Sequence, residues 1–444
     1  MPARNAQETR LGGRAAVMVA VLGGARATGY LAQVVFARLM GARQFGIYTN
    51  AWTWATVLAG VATLGLPTLL VRFIPEYRAR GDWGRLRGLI RGSLWCVLVS
   101  GLVLALLGSP GRLLAAVFGI GQVGAFRLAA WTIPVLALLT LSTEGLRSRN
   151  PPLAYSLGFV LPPAAMIGLA LAHGRARFTA AAGVWFSLAA SFAALAFEAV
   201  PFLRCLPREA RAAKPIYEPG LWMRVAWPIL VATLCEGVLS NCDILIMGPM
   251  VPPGTLAVYA ASARTSRLVS LVLAAVIAFS APLFAELHAR GDRPALSRLV
   301  QRLSRLIFWA SVAFAAALLI GSRLVLGLFG PGFTSGRGLL ALLVVGQVVN
   351  AGAGPVATLL QMTGHQDDVM RVLFWAVGAS VLTNFVLIRA LAAMGAALAT
   401  VLGLVLWNVW LNVLTVRRLE VQPSFVWSVA AAAFQRRRGG KGAA

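Results

Sequence analysis

Ala79-Arg80-Gly81-Asp82 returns 210 residues later as Ala289-Arg290-Gly291-Asp292. Leu86, Leu89 and Ile90 then match Leu296, Leu299 and Val300 at the same offset. Phe118-Gly119-Ile120-Gly121 returns as Phe329-Gly330-Pro331-Gly332, at an offset of 211. Three matches in one order at nearly one spacing divide the chain into two related halves. Long apolar runs surround each of these short polar turns, so the repeated unit is a set of hydrophobic segments.

Working outward from the turns, the runs of the first half fall at about 15–37, 47–71, 92–108, 125–146, 153–172 and 178–203. Those of the second fall at about 225–249, 257–285, 306–328, 338–362, 370–391 and 394–416. A bilayer core is crossed by roughly 20 apolar helical residues, and segments of that length satisfy their own backbone in lipid only as helices. The pattern predicts an all-α polytopic membrane protein of about twelve transmembrane helices in two six-helix lobes. An even number of spans per half starts both halves on the same side, which predicts a pseudo-twofold axis along the membrane normal. The predicted organisation is an N-terminal lobe at 1–203, a cytoplasmic linker at 204–224, a C-terminal lobe at 225–416 and a basic cytoplasmic tail at 417–444. The tail carries Phe425-Val426-Trp427-Ser428-Val429 and Arg436-Arg437-Arg438, and either rests on the inner leaflet or is a solvated end.

Composition agrees with a lipid solvent. The 444 residues are 59% hydrophobic and 12% charged, against about 25% charged in a soluble domain. The net charge of +26 comes from 40 Lys+Arg against 14 Asp+Glu. These basic residues sit in short connections, where they face anionic headgroups rather than nucleic acid. With the N-terminus in the cytoplasm, 28 basic residues fall on that side and nine on the other. That bias predicts both termini inside. Arg26 interrupts the first apolar run, which reads as a retained first helix and not a cleaved signal. Cys96, Cys205, Cys235 and Cys242 make no CxxC pair and read as small apolar residues, with no disulfide frame and no metal site expected. His173, His288 and His365 fall in predicted loops, there is no Walker A motif, and the outer loop at about 109–124 has no acid. An enzyme, including a polytopic polymerase or glycosyltransferase, is therefore not expected.

Ionisable groups inside spans are costly and mark candidate sites. Span 1 holds Arg26 among Gly23, Gly24 and Gly29. Span 7 holds Glu236 and Asp243 at i, i+7, with Thr233 and Ser240 extending that face. Span 8 holds Arg264 and Arg267 at i, i+3. Arg26, Arg264 and Arg267 suit a cationic cavity for an anionic substrate, because guanidinium stays charged and binds phosphate through paired donors. Glu236 and Asp243 either couple transport to Na+ or H+ or neutralise Arg264 and Arg267. The first six spans read as having few buried acids. Gln33, Asn50, Gln347, Asn350, Gln361, Asn384, Asn408 and Asn412 also fall in spans, where hydrogen bonding between helices is the commoner role. Pro67, Pro134, Pro228, Pro282 and Pro355 predict kinks or ends.

Ala37-Arg38-Leu39-Met40-Gly41-Ala42-Arg43-Gln44-Phe45-Gly46-Ile47-Tyr48 resembles the element between the first two helices of polysaccharide flippases. These belong to the multidrug/oligosaccharidyl-lipid/polysaccharide exporter superfamily. Gly65-Leu66-Pro67 and Arg72 with the basic stretch beyond them fit the same family. So do Asp243-Ile244-Leu245-Ile246, Tyr259-Ala260-Ala261, Pro282, Leu328-Phe329-Gly330, Asn350 and Thr363-Gly364. The resemblance implies two lobes, alternating access and an undecaprenyl pyrophosphate-linked oligosaccharide as substrate, flipped in the bacterial cytoplasmic membrane. Membrane lipids and a polysaccharide polymerase or other assembly proteins are the partners it implies. A cation-coupled multidrug exporter of the same fold is the alternative; the acids of span 7 speak for it and Arg26 in place of an acid in span 1 against it.

Overall fold

The computed structural model describes residues 2–119, 122–174, 178–204 and 207–419, with side chains from residue 21 on, save those at 22, 113, 203, 208, 278 and 279. Cys205 and the tail motifs at 425–429 and 436–438 lie outside the described residues. Two compact units emerge, Met1–Ala257 and Val258–Ala444.

The first unit holds α1 (Pro2–Ala62), α2 (Leu66–Ala79), α3 (Trp83–Leu107), α4 (Gly111–Phe118), α5 (Val123–Arg147), α6 (Pro151–Tyr155), α7 (Leu161–His173), α8 (Ala180–Arg204), α9 (Arg208–Ala212) and α10 (Pro219–Met250). A π turn, Ser156–Val160, joins α6 to α7. After α11 (Pro253–Ser266), the second unit continues through a 3-10 turn at Arg267–Val269 and α12 (Ser270–Ala289) to α13 (Arg293–Ile320) and α14 (Ser322–Gly327). A 3-10 turn at Pro331–Gly336, α15 (Arg337–Ala353), α16 (Val356–Met362) and α17 (Gln366–Leu419) complete it. Among the described residues nine helices are long and apolar enough to cross a bilayer, or up to ten if a pair bent by 43°, Gly23–Ala62 and Leu66–Ala79, is one span. Two very long helices each contain one non-helical residue, Gly41 (φ 72°) in α1 and Ala392 (φ 50°) in α17.

The repeated tetrapeptides fold alike. Gly81 and Gly291 take φ of 69° and 71°, in the left-handed region where a Cβ is strained. Asp82 and Asp292 follow as N-caps, accepting from Arg85 N at 3.2 Å and Ala295 N at 2.9 Å. Arg80 pairs with Glu76, and Arg290 with Glu286, each one turn back. The caps also explain a departure from the apolar runs. Spans 3 and 9 were expected from 92 and 306, yet α3 and α13 begin at Trp83 and Arg293. The arginine-rich stretches hide a helical face on which Leu86, Leu89 and Ile90, or Leu296 and Val300, are buried.

A second correspondence sits deeper. Tyr48 and Tyr259 are 211 residues apart and both fully buried. Tyr48 Oη lies 3.0 Å from Ser187 Oγ on α8, and Tyr259 Oη 3.1 Å from Thr400 Oγ1 on α17. These bonds set the register between α8 and the later part of α17 at an offset of 213.

Residues 213–218 lie along the first turns of α3. Ile216 N donates to Gly84 O at 3.0 Å, Arg87 Nη1 to Ala213 O at 2.5 Å, and Arg85 Nε to Glu218 Oε1 at 2.8 Å. A Cβ on Gly88 would stand 1.9 Å from Ile216 O, so only glycine permits this approach. Outer faces are apolar: Trp95, Trp185, Phe197, Ile320 and Leu382 are all exposed, as lipid requires and water would not tolerate in such density. His173 and His288, expected in loops, sit in the last turns of α7 and α12, because both helices outrun their apolar runs.

Gly81→Ala and Gly291→Ala each place a methyl group in open space, so the cost is conformational alone. Each is expected to destabilise the purified protein by about 1–2 kcal/mol, read as a lower melting temperature in detergent, with the two decrements alike.

Candidate functional site

Five helical segments of the first unit enclose a cavity of about 270 Å³. Its wall includes Gly29 and Gln33 from α1, Trp52 further along α1, Thr143 from α5, Gly158 from the π turn and Met166 from α7. The small residues leave the space and the aromatic and thioether groups give it an apolar lining. Gln33, Thr140, Thr143 and Ser191 supply polar edges. The π turn carries one extra residue in its loop, which is how Gly158 is turned toward the cavity without breaking the helix's bonding.

Arg26 stands one turn before Gly29 on α1 and is exposed. Among the described residues it forms no ion pair. The Thr28 hydroxyl bonds back to Gly24 O at 2.8 Å.

The other predicted residues are distributed differently. Glu236 is exposed on α10. Asp243, on the same helix, is 3% exposed, and its Oδ1 accepts from Ile244 N at 2.8 Å. Seven residues bring the two onto nearly one face but about 10 Å apart along the axis, and only the second reaches a buried level. Arg264 is half-buried in the last turn of α11, and Arg267 is exposed where the 3-10 turn begins. The helix expected over 257–285 is therefore interrupted just at the second arginine.

Neutral polar groups also divide. In the second unit Asn408 Nδ2 donates to Asn350 Oδ1 at 2.9 Å, joining α17 to α15. In the first unit Asn50 is buried and packs against Gly248 of α10, and Gln33 lines the cavity. Cys96 is exposed, Cys235 half-buried and Cys242 buried, all as free thiols. Among the described residues no group of three His, Cys, Asp or Glu is placed to hold a metal ion.

Sequence reasoning passed over Glu198. It is fully buried on α8, behind the cavity wall, and takes hydrogen bonds from Ser142 and Thr143 of α5. The available signal was plain: Glu198 is the sole charged residue in the apolar run 178–203.

The sequence profile of the polysaccharide biosynthesis protein family matches residues 14–288. No curated protein matches the chain significantly. Among solved structures, an inward-facing multidrug resistance MATE family transporter of the MOP superfamily aligns with a TM-score of 0.71 at 14% identity, covering 89% of this chain and 94% of that one. The lipid II flippase MurJ in an inward closed conformation aligns with a TM-score of 0.71 at 12% identity, covering 90% and 87%. A MOP superfamily transporter from Pyrococcus furiosus, described as having a binding pocket of reversed polarity, aligns with a TM-score of 0.60 at 14% identity, covering 91% and 94%. The chain thus has the fold of MOP superfamily transporters and is a multi-pass membrane protein.

If the surroundings of Arg26 are aqueous, a cysteine there reacts with a charged, membrane-impermeant thiol reagent. In a background lacking the native cysteines, Arg26→Cys is expected to be labelled and Ser187→Cys, fully buried, to be spared. Equal protection of both would place Arg26 against lipid.

Proposed function

We propose that this chain, which belongs to the polysaccharide biosynthesis protein family, flips an undecaprenyl pyrophosphate-linked oligosaccharide from the inner to the outer leaflet of a bacterial cytoplasmic membrane. Exopolysaccharide, O-antigen or capsule assembly would consume the product. The family match over residues 14–288 is the observation that carries this reading. Its fold is shared with a protein named as a lipid II flippase.

Translocation breaks no covalent bond, so the task is physical. A pyrophosphate and its sugars must leave water, pass a hydrophobic barrier and return to water. Fixed cations lower the cost of that passage by replacing the headgroup's hydration with charge-assisted hydrogen bonds. In this reading Arg26, one turn before the cavity-lining Gly29, takes this role, with Arg264 and Arg267 as further cationic contacts. Dividing α1 at Gly41 and α17 at Ala392 supports twelve spans, six to each half, and alternating access of two such halves about a central substrate is the mechanism we infer. Na+ or H+ is the coupling ion, with Glu236 and Asp243 the acids of span 7 available to it. Both termini face the cytoplasm in this scheme, and a polysaccharide polymerase or other assembly protein receives the flipped lipid.

The same fold occurs in multidrug transporters at an equal TM-score, and the burial of Asp243 keeps cation-coupled drug export as the second reading. The exposed Arg26 favours the anionic lipid, because it would repel a cationic drug.

In liposomes holding the purified protein and a fluorescent lipid-linked oligosaccharide, Arg26→Ala is expected to slow flipping at least tenfold, which corresponds to about 1.4 kcal/mol, with an unchanged gel-filtration profile. Arg26→Lys keeps the charge and loses the planar fork, so its rate should fall between. A wild-type rate in Arg26→Ala would remove Arg26 from the substrate path.

A further inference from the structure

Glu198 has no exposed surface, and its environment is unlike that of any other acid described here. Ser142 Oγ stands 2.6 Å from Oε2, and Thr143 Oγ1 stands 3.0 Å from both Oε1 and Oε2. The same two hydroxyls reach the carbonyl of Leu139, at 3.0 and 2.8 Å. Each hydroxyl has one proton to give. When one hydroxyl turns its proton to Leu139 O, its oxygen is left as an acceptor, and the single proton of a carboxylic acid can be donated to it while the other hydroxyl still donates to the carboxyl. When both hydroxyl protons go to Glu198, a carboxylate accepts them. One constellation thus fits the carboxyl group with or without its proton.

The charged groups on the helices packed against α8 are occupied elsewhere or remote. Glu144 and Arg147 of α5 pair with each other at 2.6 Å, and Arg147 also donates to Tyr155 Oη at 2.9 Å. His173 of α7 packs edge-on against Phe178 and Phe186, at the opposite end of α8. Arg26, Arg38 and Arg43 of α1 are exposed, as are Arg127 of α5 and Arg204 of α8 itself. Among the described residues no cation pairs with Glu198.

The second unit shows what this position needs for packing. In the register set by the two tyrosine bonds, Leu411 takes the place of Glu198. Leu411 is fully buried in a cluster with Phe284, Val300 and Leu360. A leucine therefore serves the fold there, and burying an acid in its stead costs stability, which packing alone does not account for.

Access is built beside it. Thr143 and Gly158 both line the cavity. A Cβ on Gly158 would stand 2.4 Å from Thr143 Oγ1 and 3.1 Å from Glu198 Oε1. The missing side chain leaves room beside the Thr143 hydroxyl, which both touches the carboxyl and belongs to a residue lining the cavity. A hydroxyl in that position can relay a proton by accepting one and giving its own.

We propose that Glu198, with Ser142 and Thr143, is a proton-binding site of the first unit. It takes a proton from water in the cavity through Thr143 and returns it by the same route when the cavity's exposure changes. The site rests on the transporter reading above only for its consequence, which is that proton movement drives the substrate step. No atoms besides the proton are exchanged: carboxylate plus proton gives the acid, and the reverse.

Infrared difference spectroscopy of the purified protein between acid and alkaline pH tests the site without any transport assay. Wild-type protein is expected to show a protonated-carboxyl band that Glu198→Gln removes. Glu198→Gln keeps the hydrogen bonds of the neutral form and is expected to retain the melting temperature. Glu198→Leu copies the second unit and is expected to fold as well. In liposomes with an imposed pH gradient, both variants are expected to lose at least tenfold of the gradient-driven stimulation. Absence of a band assignable to Glu198, or full gradient-driven transport in Glu198→Gln, overturns the proposal. Wild-type protein that carries the band but moves no lipid-linked oligosaccharide supports the proton site and overturns the substrate reading.

Discussion

A peptide N–H or C=O without a partner in hydrocarbon costs several kcal/mol, and the fold is organised around that cost. Where the described helices break, the backbone is bonded by another route. Asp82, Asn150 and Asp292 cap exposed helix starts with their side chains. The π turn at Ser156–Val160 and the 3-10 turn at Arg267–Val269 change the hydrogen-bond step without leaving the helical path. Gly41 and Gly65 supply left-handed residues where the chain must bend.

Side chains obey the same constraint. Most buried hydroxyls bond back to their own helix, as Ser187 does to Gly183 O, Thr265 to Ala261 O and Thr415 to Leu411 O. Among the bonds that cross between helices, two correspond between the halves: Tyr48 with Ser187, and Tyr259 with Thr400. Asn408 with Asn350 holds α17 to α15 with neutral amides. Against that background, a buried carboxyl held only by hydroxyls and an exposed guanidinium beside a cavity stand out as groups the packing did not require. The roles proposed for Glu198 and Arg26 rest on these two exceptions.

The halves were legible because the repeat is carried by local rules. A left-handed glycine followed by a capping aspartate leaves the same four letters wherever it is used. The true starts of α3 and α13 were hidden, because arginines on the solvated face dilute the apolar signal while Leu86 and Leu296 bury the other. Arg26 could be read directly as a charge in an apolar run. Glu198 belonged to the same class of signal but was passed over. Its partners lie 55 and 56 residues away in sequence, beyond the reach of helical periodicity. For Glu236 and Asp243 periodicity gave the face and not the depth, and their burial differs accordingly.

The central claim is the nature of the cargo, and lipid profiling of a strain depleted of this protein tests it most directly. The account predicts accumulation of undecaprenyl pyrophosphate-linked oligosaccharide in extracted membranes, loss of surface polysaccharide, and reversal of both by the wild-type gene. Unchanged lipid-linked intermediates together with heightened sensitivity to cationic drugs would contradict it and turn the same fold to drug export.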